Sequence, residues 1–223
     1  MKKSCAFVLS WILVLSASIF AYAVDDWELA KAVSKGEIQK AEILLNEGAK
    51  VNAVFKNGFT PLLIAAAYKQ WDCAKLLLDR GADVNTAKTD GWTPLMSAAS
   101  QGNSFATKML LDRGANVNVR DGGGSTALLA ACNVGSLETA ILLLDQGADI
   151  NTRMRDGVTP LMLASMQGYS QLVQVLLNRG ADVSAKDKNG VTALTAASVK
   201  GHEDIVRLLQ ESDLTDHLRD GGK

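Results

Sequence analysis

The stretch Gly58-Phe59-Thr60-Pro61-Leu62 returns as Gly91-Trp92-Thr93-Pro94-Leu95 and then as Gly124-Ser125-Thr126-Ala127-Leu128. It continues as Gly157-Val158-Thr159-Pro160-Leu161 and Gly190-Val191-Thr192-Ala193-Leu194, each step being 33 residues without insertion or deletion. A second marker keeps the same step: Gly48-Ala49-Lys50-Val51-Asn52, its counterparts at Gly81, Gly114 and Gly147, and Gly180-Ala181-Asp182-Val183-Ser184, the last set one residue short of a full match. A fixed period of this size means that each unit is one supersecondary element, which buries its apolar face only by stacking on its neighbours.

Within a unit the residues explain themselves. Pro61, Pro94 and Pro160, the only prolines, each follow a threonine. Proline at the first helical position loses no bond that a helix would have made, and the threonine before it supplies a capping oxygen. The helix so begun is small and Ala-rich (Ala65-Ala66-Ala67, Ala98-Ala99), which lets neighbouring helices approach closely. Gly36, Gly102, Gly135, Gly168 and Gly201 mark the turn that follows, and Lys69 stands there in the second unit. If that turn needs positive φ, the lysine costs about 1 kcal/mol. The second helix carries Leu76-Leu77-Leu78, Leu110-Leu111 and Leu142-Leu143-Leu144, and Gly81, Gly114, Gly147 and Gly180 are placed to stop it with a left-handed cap.

T-P-L-x-x-A, a leucine-rich helix and then G-A-D-V-N is a pattern that resembles the ankyrin-repeat family, over about residues 25–212. The resemblance implies an all-α solenoid of about six helix-turn-helix units of 33 residues joined by β-hairpin loops. A capping unit at 25–56 precedes repeats starting near 57, 90, 123, 156 and 189, and residues 213–223 read as a frayed tail. Both ends look like caps: the first unit lacks the T-P-L start, and Gln210 replaces the third leucine of the last one. The family usually places histidine after T-P-L; here Leu63, Met96, Leu129, Met162 and Thr195 stand there, exchanging a polar network for packing.

The composition agrees. The 223 residues are 48% hydrophobic, 5% aromatic and 21% charged, with net charge −1. That balance excludes disorder, a disulfide-dense miniprotein and a basic nucleic-acid binder, and one long apolar run excludes a polytopic membrane protein. That run is N-terminal. Lys2 and Lys3, an apolar stretch from Cys5 to Phe20, and Ala21-Tyr22-Ala23 make up a secretory signal peptide over residues 1–23, with cleavage expected after Ala23. An uncleaved anchor is the alternative, and either reading exports the remainder to the periplasm or beyond the cell.

No catalytic, cofactor-binding or metal-binding constellation emerges. There are two histidines: His202 lies in the Gly201-His202 turn pair and reads as structural, and His217 falls in the tail. Gly122-Gly123-Gly124 is in register with the other loop tips and reads as a turn, not a phosphate loop. Asp83, Asp149 and Asp182 recur because their turn recurs. Cys73 and Cys132 fall on different helices two units apart, about 16–20 Å at a layer spacing of roughly 8–10 Å. A disulfide needs Cα atoms within about 7 Å, so two separate buried thiols are expected.

What remains is a surface. The family resemblance implies a groove formed by loop tips and first helices that binds another protein. The positions the repeat leaves free are Phe55, Phe59, Tyr68, Trp92, Gln101, Asn133, Met154, Val158 and Met166, with Val134, Val191 and Val199 beside them. Trp71 and Phe105 read as half-buried packing. Arg120, Arg153 and Lys186 form a basic row, with Arg155 nearby, suited to an acidic partner or to solvent. The functional expectation is an exported, monomeric, non-enzymatic binding protein with neither nucleic-acid nor membrane partners. By resemblance and compartment its role is to inhibit or neutralise a periplasmic enzyme such as a cell-wall hydrolase, as an immunity protein does. The alternative is a structural or protective scaffold accessory to periplasmic enzymes, for instance those of oxidative stress.

Overall fold

The computed structural model describes residues 25–220. The signal segment at 1–23 lies outside the described residues. Among the described residues twelve α-helices follow in pairs. The inner members are α1 (Asp26–Lys35), α3 (Pro61–Ala67), α5 (Pro94–Ser100), α7 (Ala127–Asn133), α9 (Pro160–Gln167) and α11 (Ala193–Lys200). Their outer partners are α2 (Ile38–Asn46), α4 (Trp71–Asp79), α6 (Ser104–Asp112), α8 (Leu137–Asp145), α10 (Ser170–Asn178) and α12 (Glu203–Asp220). Each helix packs on its own partner and on the helices of adjacent units, which is the contact pattern of a solenoid.

The threonines cap as expected. Thr60, Thr93, Thr126 and Thr159 accept from the N–H three residues on, at 3.2–3.3 Å, and the prolines sit in the first turn. Thr192 forms a reciprocal capping box with Thr195. Leu62, Leu95, Leu128 and Leu161 are fully buried, and Leu63, Met96, Leu129 and Met162 lie beside them where the family places histidine. Side chains of that size stabilise by about 1.5–3 kcal/mol each on burial, so packing replaces the histidine network. At the far end of the outer helices Gly81 takes φ 87°, and the Ala82 N–H reaches back to the Leu77 carbonyl at 2.9 Å. Lys69 does adopt positive φ, 59°.

Two expectations change. Among the described residues the loops contain no strand; each closes as a single turn, and hydrogen bonds between successive tips replace a β-ladder. Of the stretch read as a tail, residues 213–220 continue α12, which runs to Asp220. No long leucine pattern marks that extension, which is why it reads as tail. No helix among the described residues is long and apolar enough to cross a membrane.

Candidate functional site

The loop tips are built by local bonds. The N–H of Phe55 donates to the Phe59 carbonyl at 2.7 Å, and Lys88 to Trp92, Asp121 to Ser125, Met154 to Val158 and Asp187 to Val191 do the same at 2.9–3.0 Å. Successive tips are then joined: Thr89 N–H to Asn57, Gly122 to Asp90, Arg155 to Gly123 and Lys188 to Asp156, through the backbone carbonyls. Equivalent residues of adjacent repeats therefore stand in fixed rows. Side chains on those rows and on the exposed ends of the inner helices face one continuous surface.

A groove of about 620 Å³ opens on that surface around the fourth unit. Its walls are Trp92 of one tip and Met154 of another, and its floor is Leu129, Ala130, Asn133 and Val134 of and just beyond α7. Asp121, Asp156 and Arg155 bring charge to its edge. The structure thus gathers three of the sequence-selected residues, Trp92, Asn133 and Met154, with Val134. The sequence reading passed over Ser100, Asp121, Ser125 and Asp156, because small and acidic residues draw no notice, and it took Gly123 only as part of a turn.

The other selected residues are dispersed. Phe55 is half-buried and meets Trp27 of α1 edge-on, ring centroids 5.9 Å apart. Phe59 is half-buried beneath the Lys88 ammonium, 5.6 Å from its centroid, so it folds against the neighbouring tip. Trp92 is half-buried too, its indole N–H donating to the Ser97 hydroxyl at 2.8 Å. Gln101 donates from Nε2 to the Ala66 carbonyl at 2.8 Å and thereby joins two units. Val158 and Met166 are partly buried against the core. Tyr68 alone among the selected rings is open, at 61% exposure. Phe105, read from sequence as packing, is in fact 68% exposed on α6, while Trp71 is half-buried as expected.

Two members of the basic row have a different use from either expected one, and the third, Lys186, is exposed. Arg120 donates to the Thr152 hydroxyl at 2.9 Å and to the Arg153 carbonyl, and Arg153 donates to the Lys186 carbonyl at 3.2 Å. These guanidinium groups staple each repeat to the next. His202 is likewise structural: its ring covers Gly168, and Nε2 lies 3.2 Å from the Met166 carbonyl, to which it donates. Cys73 and Cys132 are separate, buried and free, and burial pushes the Cys132 thiol up to about 12. Among the described residues no group of His, Cys, Asp and Glu is arranged to hold a metal ion.

Stacked helix pairs with interlocked loop tips and an open groove define a repeat solenoid, a scaffold that presents a surface rather than an enclosed pocket. The family profile for ankyrin repeats, in three copies, matches residues 28–88, 84–154 and 152–217. The chain belongs to the ankyrin-repeat family, whose repeats are protein–protein interaction modules and in general non-enzymatic scaffolds. No individual curated protein matches it significantly.

Proposed function

We propose that this chain is an exported, monomeric binding protein that seats another protein in the groove between Trp92 and Met154 and so shields or inhibits it, a periplasmic enzyme such as a cell-wall hydrolase being the kind of partner meant. The observation that carries the reading is the groove itself, which joins apolar walls to a charged edge, the anatomy of an interaction hot spot. Support for export comes from the charged, apolar and Ala-x-Ala segments of residues 1–23.

Asn133 and Val134 are exposed in the groove, so they can be changed without opening the core. Crosslinking in the native periplasm identifies the partner, and purified Asn133→Arg/Val134→Asp loses it while keeping the parental melting temperature. Retained binding by that variant rejects the groove. Adding the purified chain to the captured enzyme lowers its turnover if the role is inhibition; an unchanged turnover replaces inhibition by scaffolding. Terminal sequencing of the exported protein starts at Val24, and a terminus at Met1 rejects cleavage.

A further inference from the structure

The groove exists because one loop tip lacks the side chains that its neighbours carry. At the outermost tip position Asn57, Asp90, Asp156 and Asn189 share a row with Gly123. In the row at the tip's base Phe59, Trp92, Val158 and Val191 share a place with Ser125. Conformation does not demand these glycines: Gly124 takes φ 80°, but Gly122 and Gly123 are outside the left-handed region. A Cβ on Gly123 would meet only Oδ1 of Asp121 and one on Gly122 only the Asp90 carbonyl, each at 3.3 Å. Both contacts are tight, so a side chain at either place needs its neighbour to give by a few tenths of an ångström. At the tip itself the equivalent Asn189 makes the same N–H bond to Asp187 that Gly123 makes to Asp121, so the turn takes a side chain there, and its absence leaves space beside Trp92.

The chemistry around that space is one-sided. Trp92 and Met154 are the walls, and two carboxylates, Asp121 and Asp156, face a single guanidinium, Arg155. Asp121 is held in place by the N–H groups of Gly123 and Ser125, which donate to its Oδ1 at 2.8 and 2.7 Å. The other arginine close by, Arg120, is committed to the next repeat. A net negative, half-apolar slot complements a side chain with a long aliphatic stem and a planar cationic head. Arginine has both: its stem covers apolar surface, its guanidinium stacks on an indole, and its fork pairs with carboxylates. An uncharged aromatic would desolvate the carboxylates without replacing their hydrogen bonds.

Building on the groove reading, we infer that the notch left by Gly123 and Ser125 receives an arginine from an exposed loop of the partner protein, stacked on Trp92 and paired with Asp121 and Asp156. The test is a displayed library of random peptides about a dozen residues long, selected on the full chain. Winners carry an arginine at one fixed position, and its replacement by citrulline weakens them about tenfold or more. Gly123→Asn and Ser125→Val, which borrow the residues of equivalent tips, fill the notch and weaken the same peptides comparably at unchanged melting temperature. Winners without a basic residue overturn the arginine assignment. Winners that bind Gly123→Asn and Ser125→Val as well as the parent, yet lose affinity on Asn133→Arg/Val134→Asp, overturn the notch and leave the groove standing. Winners insensitive to all of these variants overturn both.

Discussion

Single side chains decide whether adjacent repeats hold together, and the clearest case is the asparagine of the G-A-D-V-N turn. Asn118 donates from its side chain to the Gly147 carbonyl at 3.0 Å and accepts from the Asp149 N–H at 2.9 Å, so one carboxamide satisfies two backbone groups of the next unit. Asn85 and Asn52 do the same one and two units earlier. Two such bonds, partly replaced by water when lost, put the cost of Asn118→Ala at about 1–2 kcal/mol in urea unfolding. Lys69 makes the opposite case. Its φ of 59° is strained for a residue with a Cβ, where the equivalent turns use glycine. Lys69→Gly is expected to stabilise by about 1 kcal/mol, seen as a raised urea midpoint at constant slope; a lowered midpoint would mean that the lysine makes a contact outweighing the strain. The cysteines follow from burial. With its thiol pushed up to about 12, Cys132 stays protonated and enclosed at neutral pH, so maleimide should label it only after unfolding. Mass spectrometry of briefly labelled native protein checks this, and rapid modification of Cys132 would contradict its place in the core.

At the level of the helix, the outer row shows a ladder with one missing rung. Arg80 at the end of α4 reaches Glu42 and Asn46 of α2 at 2.7 and 2.8 Å, Arg113 after α6 reaches Asp79 at 2.7 Å, and Arg179 after α10 reaches Asp145 at 2.5 Å. Gln146 occupies that place after α8, opposite Asp112. Gln146→Arg should complete the ladder and stabilise by no more than about 0.5 kcal/mol, because the pair is exposed and screened; Gln146→Glu should have the opposite sign. The helices themselves were legible in the sequence because each start is encoded locally: Thr-Pro-Leu sets the cap, the first helical residue and the first core side chain together. Less of the site was legible, for physical reasons. Phe55 and Phe59 looked free because the groups that cover them, Trp27 and Lys88, lie nearly a whole repeat away along the chain, and only stacking brings them together. The spacing of Arg120 and Arg153 showed that they form a row, but not that a guanidinium spans one repeat to a backbone carbonyl. The groove itself is opened by side chains that are absent at Gly123 and Ser125; the glycine run is visible in the sequence, but taken alone it reads only as a turn.

For the whole molecule the consequence of stacking is that stability resides in interfaces between neighbours, so a charge lost at one interface is felt by the cooperativity of the stack. Among the described residues four carboxylates sit below their ordinary range. Glu28 is held there first by Lys40, Asp79 by Lys75 and then Arg113, Asp90 by Lys88, and Asp204 by the Ser170 hydroxyl. Asp79 links its outer helix to Arg113 of the following unit, and Asp204 links its own to Ser170 of the preceding one. A carboxylate whose folded value is depressed contributes stability that is complete above its unfolded value. That contribution is lost as pH falls through the folded value. The melting temperature should therefore hold steady near neutrality and fall from about pH 4 downward, where unfolded carboxylates begin to take up protons that the native ones refuse. Asp79→Asn removes one of the groups responsible, so its melting temperature should lie slightly below the parent's at pH 7 and converge on it in acid. High salt should narrow the same gap at pH 7, because these groups are exposed and screened. Differential scanning calorimetry of the two proteins from about pH 2 to pH 7, which brackets an ordinary carboxylate by about two units or more on each side, decides it. A gap that stays constant with pH would assign Asp79 a packing role, and the acid sensitivity of the stack would then lie in other interfaces.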